Sequence, residues 1–341
     1  MSEAILGTRD KRGDWRPPYL IEVEAPYRWP PQPAAVLKWL FGFPGYLWPW
    51  NCLYLATALA TWFFLMPDLA RMESFELWWI ALILGRNLAM MVLYVGAWHL
   101  YLYTFKGQGT DFRYSSRPFA TNSNRFLFGN QVHENMFWTL AGAVPIWTAY
   151  EVVMLWAYAN GLLPFIDWET NPVWFVALLL IIPTFQGVHF YLTHRLLHWR
   201  PLYESIHYRH HRNVDIGPWS GLSMHPVEQL IFFSGVLLFC VVASHPIHAL
   251  FYLQHLALAP AKGHSGFDRI VVTGGRAVRL GNYHHDLHHK YFECNYSGDG
   301  MVIFDKVFGT FHDGSDAAQA RLKQVRLARA RSNEAQRSQP S

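Results

Sequence analysis

The sequence is poor in charged residues and in cysteine, and each shortage excludes a class of protein. Only 15% of the 341 residues are Asp, Glu, Lys or Arg, whereas about 25% is usual in soluble domains. Hydrophobic residues make up 52% and aromatic residues 17% of the chain, which excludes a disordered protein and disfavours a soluble one. The three cysteines form no CxxC pair, so a disulfide framework and a cysteine-based metal site are excluded as well.

The basic residues are not gathered into one stripe. The net charge is +4, but Lys and Arg are spread along the chain, so nucleic acid is not an expected partner. The N-terminal segment 1–38 mixes charges of both signs and has no apolar run, which is not the pattern of a secretory signal peptide.

Long stretches without charge predict an all-α, multi-pass membrane protein. Crossing roughly 30 Å of hydrocarbon takes about 20 apolar residues. Within 39–193, four stretches with at most one charged residue meet this length, namely 39–66, 77–105, 135–160 and 170–193. Four crossings put 1–38 and everything after 193 on one side. The basic residues flanking the spans make that side cytoplasmic by the positive-inside rule.

A further run, 229–261, has 33 residues without Asp, Glu, Lys or Arg. A single helix of this length would be about 50 Å long, which is too long for one span. Pro246 lies near its middle and disfavours a continuous helix, so we predict a hairpin that crosses fully or is re-entrant. It belongs to a histidine-rich region, 194–312. The basic tail, 313–341, is a solvated helix, a disordered end or a site for lipid headgroups.

Two charged residues interrupt the predicted spans. Arg86 lies in the second span and Glu151 in the third, and burying either alone in hydrocarbon costs several kcal/mol. We predict that they pair across the two helices. The alternative is that each side chain snorkels to the surface or marks a misplaced boundary.

Histidine is the residue type with the most informative pattern, because 15 of the 18 histidines fall between 189 and 289. Three sets have offsets of three or four residues, which bring side chains to one face of a helix. The sets are HRLLH with His194 and His198, HYRHH with His207, His210 and His211, and HDLHH with His285, His288 and His289. A helix leaving the membrane would aim the first five at one point.

So many imidazoles next to a membrane predict a metal site. Neutral imidazole binds divalent metals, and gathering eight rings without a metal would be costly. One ion takes about four to six ligands, so eight or nine imidazoles imply two ions with open positions. A structural zinc site would be closed by four ligands, usually including cysteine. The excess of histidine therefore favours chemistry over a structural site.

The ordered motifs resemble those of the sterol desaturase and fatty acid hydroxylase superfamily of integral-membrane di-iron enzymes. The resemblance covers about 185–312 and consists of HRLLH, HYRHH, HPVE, HSGFD and HDLHHKYFECNY running into IFDKVFGTF. It implies two Fe2+ ions that activate O2, with the eight histidines of the three sets as ligands and His264 of HSGFD as a ninth. It implies no catalytic residue beyond these ligands.

The sequence departs from one branch of this family. In the fatty acid 2-hydroxylase branch a ligand precedes the position of His264 by four residues, where this chain has Pro260, as in the sterol-oxidase branch. The missing ligand is then His255, His225 or water. His225 and Glu228 of HPVE, with Asp286 of HDLHH, are candidates to orient ligand rings by hydrogen bonds.

The resemblance implies an oxidoreductase that hydroxylates or desaturates a lipid or sterol C–H bond. No GxGxxG after a strand and no HPGG haem motif is present. Electrons are therefore expected from a separate cytochrome b5, or from a ferredoxin with its reductase. Two other classes remain open. A histidine-rich metal transporter should place its ligands mid-span, and a membrane zinc hydrolase should carry a base such as HExxH, which is absent. The membrane is the endoplasmic reticulum or a bacterial inner membrane.

Overall fold

The described part of the chain is mostly helical, as predicted, with two small antiparallel sheets. The computed structural model describes residues 7–272, 276–298 and 300–337. The first six residues of the predicted N-terminal segment and the last four of the basic tail lie outside the described residues. The sheets pair β1 (Thr8–Arg9) with β2 (Trp15–Arg16), and β3 (Arg269–Val271) with β4 (Ala277–Arg279).

The described chain contains long apolar helices, shorter helices and a polar C-terminal helix. In chain order they are α1 (Pro33–Phe41), α2 (Cys52–Phe64), α3 (Leu77–His99), α4 (Gln131–Trp138), α5 (Val144–Ala159), α6 (Pro172–Leu197), α7 (Arg200–Leu202), α8 (Tyr208–His211), α9 (Pro226–Phe233), α10 (Pro246–Gly263), α11 (Tyr283–Tyr291), α12 (Val302–Val307) and α13 (Asp316–Arg337). Short 3₁₀ or π turns extend several of them, including Ser234–Cys240 after α9 and Tyr203–His207 before α8.

Three continuous helices in the described chain are long and apolar enough to cross a membrane. They are Leu77–Thr104, Gln131–Ala159 and Pro172–Leu197, and each includes most of one predicted span. The second of them joins α4 and α5 through a π turn, so it begins four residues earlier than the predicted third span. The end of the third carries the first histidine set directly out of the apolar region.

The first predicted span, 39–66, is not one long helix. Helix α1 ends at Phe41, and α2 has 13 residues, which is about 20 Å of helix. The break lies in a segment with two prolines. Trp48, which precedes Pro49, has extended dihedral angles (φ −105°, ψ 139°), as expected because a following proline disfavours the helical region. The charge-free run was visible in the sequence, and the prolines explain its division.

The hairpin predicted at 229–261 appears as two helical arms. The first arm is α9 with its 3₁₀ extension and the second is α10, which begins at Pro246 after an extended His245. Helix α10 packs against α2, α5 and α6, and most of its side chains are buried. At the turn, Ser244 N donates to Pro164 O at 3.0 Å, so the hairpin reaches the connection between α5 and α6.

Three segments that the predicted topology puts on one side lie together. Trp15 of the N-terminal segment donates its backbone N–H to Tyr114 O in the connection after α3. The Tyr114 hydroxyl donates to Asn282 Oδ1 at 2.9 Å, just before α11. Lys290 of α11 pairs with Asp14 at 3.0 Å. The N-terminal segment, this connection and the third histidine set therefore pack at the same end of the helices.

Arg86 of α3 and Glu151 of α5 are brought together as an ion pair. The Arg86 guanidinium donates to Glu151 Oε1, and the two side chains are 7% and 1% exposed. Asn87 Nδ2 donates to Glu151 Oε2 at 3.0 Å, so both carboxylate oxygens have partners. This arrangement compensates two charges that would each be costly in an apolar region.

Candidate metal centre

The nine histidines named from the sequence form two adjacent groups. The group of five and the group of four each have their potential ligand atoms within 4.8 Å of one another. The group of five is His194, His198, His207, His211 and His288; the group of four is His210, His264, His285 and His289. The groups touch, since the ring centroids of His211 and His289 are 4.8 Å apart.

The expectation that the first five histidines share one point is wrong for His210. His207 and His211 enter the group of five, while His210 of the same set points to the group of four. The third set divides in the same way, with His288 in the larger group and His285 and His289 in the smaller. Both sets lie between the groups, because offsets of one and three residues turn a helical side chain by about 100° or 300°.

The histidines of the two groups lie at helix ends and on short helices. His194 lies in the last turn of α6 and His198 caps that helix, while His264 caps α10. The second set lies on the π turn and α8, and the third on α11. All of the rings are buried except His198, which is half-buried.

Most rings are held by a hydrogen bond from Nδ1, which leaves Nε2 directed into the group. In the group of five, His194 Nδ1 donates to Tyr296 O at 2.7 Å, His207 Nδ1 to Glu228 Oε1 at 2.7 Å, and His288 Nδ1 to Cys294 O at 2.6 Å. In the group of four, His289 Nδ1 donates to Asn213 O at 3.1 Å. Such bonds fix the tautomer and orientation of metal-binding histidines.

The positions of the facing Nε2 atoms suit a bound metal ion and do not suit a hydrogen bond between the rings. A neutral imidazole has one N–H, and His194 and His207 both use it at Nδ1. Their Nε2 atoms are nevertheless 3.1 Å apart, so two lone pairs face each other. His288 Nε2 lies equally close to the Nε2 atoms of His198 and His211. Two nitrogens bound at right angles to one ion, each about 2.1 Å from it, are about 3 Å apart.

The group of four has the same character. His264 Nδ1 bonds to Ser220 Oγ at 2.9 Å, and the Ser220 hydroxyl donates to Gly217 O, so the ring nitrogen is the donor. His264 Nε2 then carries a lone pair, and this atom lies 2.8 Å from His285 Nε2. His289 Nε2 is buried and has no hydrogen-bond partner in the part of the chain that is described. The residues present therefore fit a second ion.

Burial keeps these rings neutral, which is the protonation state that binds a metal. Desolvation, with repulsion from neighbouring imidazoles, lowers the pKa of His207, His211 and His264 well below the usual range. It lowers the pKa of His210 to about 3.

The other candidate residues have different surroundings. Glu228 accepts from His207, as proposed for an orienting carboxylate. Asp286, which had the same expected role, has no histidine hydrogen-bonded to it among the described residues. His225 caps α9 by accepting from Val227 N, and His255 bonds to Asn51. Neither joins a group, so neither replaces the ligand missing at Pro260.

Sequence reasoning missed several residues that support the rings. Asn213 and Ser220 give no motif signal, and Tyr296 and Cys294 act through backbone carbonyls, which any residue type provides. Asp305 organises the loop around Tyr296: it accepts from the Tyr296 backbone N–H at 2.8 Å and from the Ser297 hydroxyl at 2.6 Å.

The contact with Ser220 gives a testable expectation. Replacing Ser220 with alanine removes the acceptor for His264 Nδ1 and is expected to weaken metal binding at the group of four by about 10- to 100-fold. Metal titration of the purified protein measures this. Ser223→Ala is the matched control, because Ser223 is also buried but its hydroxyl has no partner in the described chain. Equal affinity in the two variants would contradict the role of Ser220.

Comparisons with known proteins agree with this site. Residues 176–310 match the family model for fatty acid hydroxylase. The chain is 32% identical to methylsterol monooxygenase 1 of Rattus norvegicus over 152 residues, which cover 42% of this chain and 50% of that protein. It is 28% identical to sphinganine C4-monooxygenase 1 of Arabidopsis thaliana over 142 residues, which cover 40% of this chain and 53% of that protein.

A third relative is a Delta(7)-sterol 5(6)-desaturase of Gibberella zeae, 29% identical over 142 residues that cover 40% of this chain and 42% of that protein. The chain thus spans about half the length of the curated relatives it matches. No solved structure matches it. The matched segment contains all nine grouped histidines, and the resemblance predicted from their motifs is confirmed: this segment is similar to the sterol desaturase and fatty acid hydroxylase superfamily.

Proposed function

We propose that this protein is a membrane-bound di-iron oxidoreductase that uses O2 and external electrons to hydroxylate or desaturate a lipid or sterol C–H bond. The observation that carries the proposal is the presence of two adjacent imidazole groups. Within each group, Nε2 lone pairs of different histidines face one another. The relatives are a methylsterol monooxygenase, a sphinganine monooxygenase and a sterol desaturase, which supports a lipid or sterol as the substrate.

Each group would hold one iron ion. Together the two ions would supply the activation of O2 and the removal of hydrogen from an unactivated C–H bond. The chain's own contribution is the neutral imidazole shell, fixed through Nδ1 by Glu228, Ser220 and backbone carbonyls. Burial of the rings excludes bulk water from the reacting atoms.

The membrane arrangement is part of the proposal. We assign 39–193 to the membrane-spanning region, with α2 as a fourth, shorter crossing. The hairpin crosses too, since its turn contacts the connection between α5 and α6. Segments 1–38, 194–312 apart from the hairpin, and 313–341 lie on the cytoplasmic side. An apolar substrate then enters from the bilayer, while a separate cytochrome b5 or ferredoxin supplies electrons from the cytosol.

Metal content and O2 use together test the proposal. The purified full-length chain, reconstituted with Fe(II), is expected to hold about two irons and to consume O2 only with iron and a reductant present. A metal transporter or a zinc hydrolase would bind metal without reductant-dependent O2 consumption. Fewer than two bound transition-metal ions would contradict the di-iron assignment.

Isotope labelling identifies the reaction. Lipids from cells with and without the protein, grown under 18O2, are expected to differ in one product that depends on the protein. A product that gains one labelled oxygen indicates hydroxylation, and an unlabelled product lighter by two hydrogens indicates desaturation. A lipid profile unchanged by removal of the protein would contradict an oxidised lipid product.

A further inference from the structure

Three buried polar side chains lie on one face at the start of the long apolar helix Gln131–Ala159, in α4 and the π turn that follows it. They are Gln131, Asn135 and Thr139, which are four residues apart and therefore share a helix face. The three residues are 3%, 3% and 1% exposed. A buried polar side chain is costly unless it is hydrogen-bonded, so the partners of these three show what the face does.

Asn135 and Gln131 both bind the side chain of Asn213. Asn135 Nδ2 donates to Asn213 Oδ1 at 2.8 Å, and Gln131 Nε2 donates to the same oxygen at 3.0 Å. Asn213 Nδ2 donates in turn to His210 O at 3.2 Å. The backbone carbonyl of Asn213 accepts from His289 Nδ1 at 3.1 Å. The two α4 side chains therefore hold a residue that is bonded to two ligands of the group of four.

Other contacts attach the same segment to α4. Glu134 forms an ion pair with Arg212, the residue before Asn213. Gln131 Nε2 also donates to Asp215 O at 2.8 Å. Side chains from three positions of α4 thus fix 212–215, the segment that directly follows the second histidine set.

Thr139 reaches the group of four by a second route. Its hydroxyl donates to Trp219 O at 3.0 Å. The next residue, Ser220, accepts from His264 Nδ1 at 2.9 Å. Both residues belong to the short turn Pro218–Leu222, whose five residues are all buried and which packs against α4. Thr139 therefore fixes the turn that orients a third ligand of this group.

The rings of the group of five have their supports elsewhere in the chain. Their Nδ1 atoms bond to Glu228 of α9 and to the backbone carbonyls of Cys294 and Tyr296, which follow α11. The two groups are therefore held by different elements, and α4 serves the group of four.

We propose that the face of α4 formed by Gln131, Asn135 and Thr139 positions the ligands of the group of four and leaves the group of five unaffected. Gln131 and Asn135 act through Asn213, and Thr139 acts through the turn that contains Ser220. They are positioning residues, because each acts through another residue that bonds to a ligand. The inference rests on the metal centre of the proposed function.

The test measures Co2+ binding to the full-length, metal-free protein in detergent. Co2+ replaces iron because its visible absorption reports the ligand geometry of each site. Asn135→Leu keeps a similar side-chain volume and removes the amide that binds Asn213. We expect it to weaken the binding of one Co2+ ion by about tenfold and to alter the absorption of that ion, while the other ion binds as in the wild type.

Substitutions at Thr139 separate the hydroxyl from the shape of the side chain. Thr139→Val removes the donor to Trp219 O and is expected to weaken one ion by about tenfold, whereas Thr139→Ser keeps the hydroxyl and should bind both ions within about twofold of the wild type. Thr148→Val is the matched control. Thr148 is a buried threonine of the same long helix, and its hydroxyl accepts from Asn87 Nδ2 at 3.1 Å. This control should lower the thermal stability and leave both Co2+ affinities unchanged.

Combined variants identify the route. Once Asn213→Ala has removed the side chain that Asn135 binds, adding Asn135→Leu should weaken Co2+ binding no further, because the two residues act as one unit. In a protein that already carries His210→Ala and His285→Ala, the ion that remains in the group of five should bind equally well with and without Asn135→Leu.

The outcomes separate this inference from the proposed function. Unchanged affinities in Asn135→Leu and Thr139→Val, or an equal fall at both ions, would overturn the role of α4 and leave the di-iron assignment intact. A wild type that binds fewer than two ions would overturn the di-iron function instead. A single bound ion that weakens in Asn135→Leu would then still support the positioning role, and one that does not weaken would overturn it.

Discussion

Replacing His210 and His285 together with alanine is expected to remove one metal ion per chain, while replacing His207 and His211 as well is expected to remove both. His210 and His285 belong to the group of four, whereas His207 and His211 belong to the group of five. A site that loses two of its imidazole ligands no longer binds its ion tightly, but a site left whole still does. Elemental analysis should give about one ion in the double variant and about none in the quadruple variant, against about two in the wild type.

The control for this experiment is His225→Ala. His225 lies near the second set in the sequence, but its ring caps α9 and joins neither group. This variant should keep both ions and most of the oxidation activity, whereas the double and quadruple variants should lose that activity. If the double and quadruple variants have the same metal content, the division of these histidines between two ions is wrong.

Glu151→Leu is expected to destabilise the protein by about 3–5 kcal/mol, because it leaves the Arg86 guanidinium buried without its carboxylate. Thermal unfolding in detergent, with the same lipid content in each sample, measures the loss. The double variant Arg86→Met with Glu151→Leu removes both charges, and should recover most of the stability because the buried charge itself is gone.

An exposed acidic residue provides the comparison. Glu169 lies in the connection before α6 and is exposed, so Glu169→Leu should change stability by less than about 0.5 kcal/mol. Glu151→Leu and Glu169→Leu variants of equal stability would mean that Arg86 finds another partner or water. That result would favour the alternative in which the two charged side chains do not depend on each other.

The positions of the long apolar helices followed closely from the sequence, because an apolar span needs a minimum number of uncharged residues whatever its neighbours are. The second, third and fourth predicted spans each overlap most of a long helix. The first did not follow, since Pro49 and the extended Trp48 divide it. Proline was visible in the sequence, but whether it kinks a helix or ends it depends on the packing around it.

The hairpin was likewise predicted from the sequence only in part. Its charge-free length and Pro246 predicted two arms, but the sequence left open where the turn between them packs. Hydrogen bonds join Ser244 to the connection at 164–166, and they link residues about 80 positions apart. Contacts of this kind have no local sequence signal.

The sequence by itself determined which nine histidines come together, because the spacing of the three sets and the ordered motifs, which add His264, are specific. Only the tertiary structure decided how they divide. Adjacent residues such as His210 and His211 point about 100° apart on a helix, so one set contributes to two groups when a second element packs on each side. The acceptors for Nδ1 are also tertiary, since most are backbone carbonyls that depend on where the chain returns and not on residue type.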